Sequence, residues 1–162
     1  MSYNYDISGR IIIISFIIAL MITVMPWSSW LIWLRPDFTL LVLLYWVMTR
    51  PYLIGIRTAF VLGIFVDLLD GTVLGLHAFA YVVLTYIVIK YHRKFNAISS
   101  LQNIVLTAAI LLLYSIIILA IQSFTGNSPA TFLYWLSFVG NVIFWLLIYW
   151  VLTKICRRYH VN

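Results

Sequence analysis

The chain has 162 residues, of which 65% are hydrophobic and 9% charged, with 10 Lys+Arg against 4 Asp+Glu and a net charge of +6. A soluble domain carries about 25% charged residues, so this chain lacks the polar groups to cover a water-facing surface. That excludes a soluble globular enzyme, a disordered tail and a disulfide scaffold, and leaves an integral membrane protein with little mass outside the bilayer.

Crossing ~30 Å of hydrocarbon takes about 20 apolar residues in a helix. Hydropathy predicts six such segments, about 11–27, 37–49, 54–69, 72–89, 104–124 and 132–153, in a single membrane domain over residues 1–162. The first follows Arg10 and could pass for a signal peptide. The bulky Met25-Pro26-Trp27-Ser28-Ser29-Trp30 run offers no small-residue cleavage site, so it reads as a retained helix. The second has a strongly apolar stretch only from Phe38 to Thr49, roughly 18 Å of helix. Arg35-Pro36-Asp37 interrupts its approach, and Pro36 breaks or starts a helix there. Asp70-Gly71 makes a tight link from the third to the fourth. Lys90–Asn103 is the longest polar stretch, and Thr125–Thr131 joins the fifth to the sixth. No internal repeat is evident.

Lys and Arg collect on the cytoplasmic side of membrane helices. Six spans with a cytoplasmic N-terminus put Arg10, Arg50, Arg57, Lys90, Arg93, Lys94, Lys154, Arg157 and Arg158 inside and only Arg35 outside. A five-span chain in which the short second segment does not cross gives the same tally, because Arg10 and Arg35 trade places. Both versions place the C-terminus in the cytoplasm. Arg10 abutting the first helix favours six. Trp27, Trp30 and Trp33 then mark the outer interface, and Tyr91, Trp150 and Tyr159 the inner one.

Ionisable groups within a bilayer are costly and are functional candidates. Asp67 and Asp70, three residues apart, share a helix face near His77. They read either as a carboxylate–imidazole cluster or as turn chemistry. In the turn reading Asp70, just before Gly71-Thr72, caps the fourth helix. Two carboxylates and one imidazole are too few for a metal site. His77, Tyr81 and Thr85 form one stripe, Asn103, Thr107, Tyr114 and Gln122 a second, and Ser137, Gly140 and Asn141 a third. Such stripes face neighbouring helices or line a shared cavity. Gly71 and Gly75 match G-x-x-x-G, but Gly71 belongs to the turn, so a homodimer is left open rather than inferred.

Arg57 lies about a turn into the third segment, where it can snorkel to the inner surface. The basic patches Lys90, Arg93, Lys94 and Lys154, Arg157, Arg158 read as topology determinants and contacts for anionic lipid, not as a nucleic-acid surface. Cys156 is the lone cysteine, so no internal disulfide forms. The chain has no P-loop, nucleotide fingerprint, G-x-S-x-G or H-E-x-x-H motif, and no cofactor is expected.

Pro26-Trp27, Leu34-Arg35-Pro36-Asp37-Phe38, Leu43-Leu44-Tyr45-Trp46, Gly63, Asp67-Leu68-Leu69-Asp70-Gly71 and Leu74-Gly75 together resemble the rod-shape-determining MreD family of Gram-negative bacteria. The likeness covers the whole chain in length and hydropathy, with its specific motifs between residues 26 and 81. It implies a non-enzymatic inner-membrane component of the machinery for peptidoglycan elongation. Its implied partners are MreC directly, and MreB, RodZ, RodA and a class B penicillin-binding protein indirectly. It also implies a six-helix bundle similar in fold to the substrate-binding subunits of energy-coupling-factor transporters. By that analogy Arg35, Asp37, Asp67, Asp70 and His77 flank an outward pocket or meet a partner. Arg35, two residues from Asp37, is expected to position the outer loop by an ion pair with it or by pairing with a partner. Tyr81, Thr107, Tyr114 and Asn141 make interhelical polar contacts. The rival readings are a small-molecule-binding transporter subunit and, more distantly, an intramembrane enzyme.

Overall fold

The computed structural model describes residues 2–25, 35–97, 100–124 and 134–158, and the side chains of 9–25, 35–91, 104–124 and 135–158. Among them the chain is all-helical. The helices are α1 (Ser2–Val24), α2 (Phe38–Thr49), α3 (Ile56–Asp70), α4 (Leu76–Ala97), α5 (Ser100–Phe124) and α6 (Tyr134–Arg158). Two stretches, Ile104–Phe124 and Trp135–Arg158, are long and apolar enough to cross a membrane. Gly9–Val24, Phe38–Thr49 and Leu76–Tyr91 are shorter apolar helices.

The shortest helix lies at the centre. Every residue from Phe38 to Val47 is buried, and α2 packs against α1, α3, α4 and α6. A helix that is apolar all round is covered by protein or by lipid, and α2 is covered by protein. Its length is therefore matched to its neighbours rather than to a lipid slab. At its far end the Trp46 indole donates to Ser15 Oγ over 2.9 Å, which supplies the partner that a buried indole N–H requires. The Tyr45 hydroxyl lies 3.5 Å from both Thr153 Oγ1 and Cys156 Sγ.

The outer helices show the reverse pattern. On α1, Ile12, Phe16, Ala19 and Thr23 are buried, while Ile13, Ile14, Ile17, Ile18 and Met21 are half exposed or more. The buried set recurs at the three- and four-residue spacing of one helix face. An exterior this apolar is unlike that of a water-soluble monomer.

α3 and α4 form a tight hairpin. A Cβ on Gly63 would come within 2.3 Å of Ala78 Cα, so the two backbones touch and only glycine fits. The connecting turn spans residues 71–75, with φ of +65° at Gly71 and +100° at Gly75. This moves the start of α4 from the expected Thr72 to Leu76. Both glycines of the G-x-x-x-G match lie in this turn.

Other boundaries shift as well. The polar stretch Lys90–Asn103, expected as a connection, is mostly helix, because α4 runs to Ala97 and α5 begins at Ser100. α1 begins at Ser2, and α6 continues to Arg158. Arg57 is the second residue of α3 and is exposed, rather than a full turn inside it. Trp27, Trp30, Trp33, Tyr159 and the Thr125–Thr131 connection lie outside the described residues.

Successive helices alternate in direction. Thr23, Asp37, His77 and Asn141 meet at one end of the bundle. Thirteen residues along their helices from these four stand Arg10, Arg50, Lys90 and Lys154, which is about 20 Å at 1.5 Å per residue. The bundle thus has a polar end and a basic end.

Candidate functional site

The polar end is organised by three consecutive residues, Arg35, Pro36 and Asp37. An aspartate before a helix satisfies orphan N–H groups and complements the positive end of the helix dipole. Asp37 does this for α2, with Oδ1 accepting from Leu40 N at 3.0 Å. Its other oxygen reaches across the bundle. Asp37 Oδ2 accepts from Tyr81 OH on α4 and Tyr114 OH on α5, each at 2.6 Å. The Asp37 backbone N–H donates to Asn141 Oδ1 on α6 at 2.8 Å.

Arg35 covers the remaining two helices. Its Nη2 donates to the Thr23 carbonyl at the end of α1. The same nitrogen forms an ion pair with Asp70 Oδ1 at the end of α3, at 2.8 Å. Arg35 and Asp37 together therefore hold α1, α3, α4, α5 and α6 around the start of α2. Pro36, buried between them, fixes φ and gives up an N–H that would need a partner. Thr23 adds one more tie, its Oγ1 lying 3.3 Å from Thr39 Oγ1 of α2.

A second aspartate closes the α3–α4 turn. Asp67 is 1% exposed. Its Oδ1 accepts from Thr72 Oγ1 at 2.9 Å and from His77 N at 3.0 Å, and lies 2.8 Å from His77 Nδ1. Oδ2 accepts from Gly75 N at 2.9 Å and Ala78 N at 3.4 Å. Five donors around one buried carboxylate leave it few lone-pair directions for anything else.

Two expectations change. The cap of α4 is Asp67, not Asp70. Because the turn runs to Gly75, Asp70 is carried away from the start of α4, whereas Asp67, one turn back on α3, faces it. Arg35 pairs with Asp70, not with its near neighbour Asp37, whose oxygens are taken by the helix start and by two phenols.

Arg35, Asp37, Asp70 and His77 do share a cavity, of about 220 Å³, with Thr23, Tyr114, Gln122, Ser137 and Asn141 also in its wall. Asp67 is not in that wall and lies behind it in the turn. The α4, α5 and α6 stripes do both things expected of such stripes. Tyr81, Tyr114 and Asn141 bond between helices, while Gln122 and Ser137 line the cavity. Thr107 is buried on α5 and Thr85 on α4. Among the described residues no three His, Cys, Asp or Glu side chains gather as a metal site. Thr23 and Ser15, which tie α1 to Arg35 and to Trp46, carry no motif of their own. The one trace of them in the sequence is their place with Ala19 on a single four-residue repeat along α1.

At the basic end, Lys90 sits over the Tyr86 and Tyr91 rings at 6.0 and 5.8 Å, and Lys154 over Trp150 at 4.9 Å. Arg157 and Arg158 are exposed at the end of α6. Arg93 and Lys94 lie on α4, with side chains outside the described set.

The sequence profile of rod shape-determining protein MreD matches residues 6–155, a stretch that holds the whole polar node. The chain belongs to the MreD family. Rod shape-determining protein MreD of Haemophilus influenzae is 27% identical over 146 residues, covering 88% of this chain and 88% of its own length. No solved structure matches the chain. MreD is a family of membrane proteins that determine rod shape, and the apolar exterior of the bundle agrees with that setting. In this member, the Arg-Pro-Asp element and the Asp-x-x-x-Gly-x-x-x-Gly element that carried the likeness are the two hydrogen-bonded centres just described.

Proposed function

We propose that the chain is a six-span protein of the bacterial inner membrane, with both termini cytoplasmic. In this reading it acts without catalysis in the cell-elongation complex, by binding MreC and helping to organise sidewall peptidoglycan synthesis. MreB, RodZ, RodA and a class B penicillin-binding protein are its indirect partners. The observation that carries the reading is what the acidic groups do. Asp37, Asp67 and Asp70 are each engaged in holding helices together, so their chemistry serves a rigid scaffold. A bundle fixed this way presents constant surfaces to a partner's helix, which packs through van der Waals contact and interhelical hydrogen bonds.

Six spans are supported by the alternating helix directions and by α2, which runs the full distance from the polar end to the basic end. The polar node is then the outer side and the Lys/Arg end the cytoplasmic side. A reporter fused just before Ile11 tests this, since five spans would place it outside.

The 220 Å³ cavity favours a second reading, a small-molecule-binding subunit of the energy-coupling-factor type. Deleting the gene and scoring cell shape, vitamin uptake and MreC recovery separates the two. Loss of rod shape with normal uptake supports the first reading. Normal rods with defective uptake overturn it in favour of the second. Complementation with Asp67→Asn is expected to disturb shape or MreC recovery while membrane insertion persists.

A further inference from the structure

α1 and α6 both pack on α2 but not on each other. The space between them is a groove of about 430 Å³, floored by Phe38 and Val42 and walled by Ile14 and Ile18 on one side and Val151 and Ile155 on the other. Its walls are branched aliphatic side chains. The small residues nearby are already used, since Ala19 is 2% exposed and Ser15 bonds Ile12 O and the Trp46 indole. The groove therefore lacks the free small-residue seam that lets a second helix come close.

From Ile11 to Ile22 it runs about 16 Å, most of the way from the basic end to the polar end.

One end is charged. Arg10 lies four residues before Ile14, and Arg158 three residues after Ile155, so each continues the stripe that forms one wall. Both are exposed, and neither joins an ion pair among the described residues. Lys154, by contrast, is drawn to Trp150, and at the opposite end of the bundle Arg35 is already paired with Asp70. A guanidinium suits a phosphate because its planar fork matches two oxygens at once.

We propose that this groove seats one acyl chain of an anionic glycerophospholipid, with the phosphate held between Arg10 and Arg158. The assignment rests on the membrane placement given above, under which these residues face the leaflet richest in anionic lipid.

The test is native mass spectrometry of the full-length chain in neutral detergent, with phosphatidylglycerol or phosphatidylcholine of matched acyl chains. Phosphatidylglycerol is expected to be retained about thirtyfold better, as two cations at ~1 kcal/mol each predict. The double variant Arg10→Gln/Arg158→Gln should bring that ratio close to one. Lys90→Gln, on a different face, should leave it unchanged. Ile18→Trp, or Val151→Trp from the opposite wall, fills the groove and should lower retention of both lipids, with helix content checked by circular dichroism.

A preference that persists in the double arginine variant overturns the proposal. So does lipid retention untouched by both tryptophan variants. Loss of the bound lipid when the chain is purified with MreC also overturns it and assigns the groove to a helix. The lipid measurement uses purified protein and the rod-shape reading uses cells. Loss of lipid preference alone leaves the rod-shape reading standing, and normal rods on gene deletion leave the lipid result standing.

Discussion

Asp67 and Asp37 each cap a helix and each hold several donors, yet the two centres join parts of the chain at very different separations. The side-chain and backbone partners of Asp67 lie five to eleven residues away. Those of Asp37, beyond its own helix, lie 44, 77 and 104 residues away. The first closes a hairpin whose two arms are already tethered by a five-residue turn, so little loop entropy opposes it. The second forms only when four helices have arrived, so it reports the assembled bundle. One carboxylate shapes a local motif, and the other certifies the global arrangement.

The largest expected effect separates them most sharply. Asp67→Ala removes the acceptor for a buried cluster of donors and should cost about 3–5 kcal/mol, since each buried donor left stranded costs about 1–3 kcal/mol. Unfolding in detergent would show it, together with faster hydrogen exchange at the start of α4. An unchanged midpoint would show that the turn holds without its carboxylate.

Asp37→Ala should cost less, about 2–3 kcal/mol, because it strands two hydroxyls and one amide rather than a whole turn. The distinguishing measurement is a pair of spin-label distances. The α4–α5 and α4–α6 distances should broaden while the α3–α4 distance stays sharp. If α3–α4 broadens equally, the two centres are one cooperative unit and the distinction fails.

Smaller changes refine the picture. Tyr81→Phe and Tyr114→Phe each delete one hydrogen bond to the same oxygen, and about 1 kcal/mol apiece is expected for interhelical bonds in a membrane protein. Sharing one acceptor, they should be non-additive in a double-mutant cycle. Strict additivity would mean that the two phenols act independently. The smallest effect belongs to Asp70→Asn. Its pair with Arg35 is about a quarter exposed on both sides, which limits it to at most about 1 kcal/mol. The loss should shrink further at high salt, and a salt-independent loss would show that Arg35 holds α3 by something other than charge.

Much of the frame could be read before the fold. The gap at Asp70-Gly71 marked the hairpin, and the hydropathy profile marked the α2 core from Phe38 to Thr49. Those signals are local, because they depend on residues within a few turns of one another. The pairing within the site was less visible. The sequence groups Arg35, Asp37, Asp67, Asp70 and His77, but Asp67 lies behind the cavity wall and makes the cap expected of Asp70, and Arg35 passes over the nearer acid. Neighbouring residues were an obvious choice, yet Asp37 is oriented by its duty at the start of α2 and turns its free oxygen away from Arg35. The shortness of α2 was a warning about membrane crossing until its surroundings explained it. No pattern within twelve residues states that protein lies on every side.

The sequence by itself determined an apolar helical chain of the MreD family, with its positive charge gathered on the segments that follow alternate helices. Hydropathy and charge are sums over a window, so they survive without a fold. Only the tertiary structure decided that α2 is the central helix, that the Arg35–Asp37 segment binds all five others, and that Asp67 rather than Asp70 closes the turn. A hydrogen bond of 2.6–3.0 Å is decided by which helices become neighbours and how each is rotated, and packing sets both.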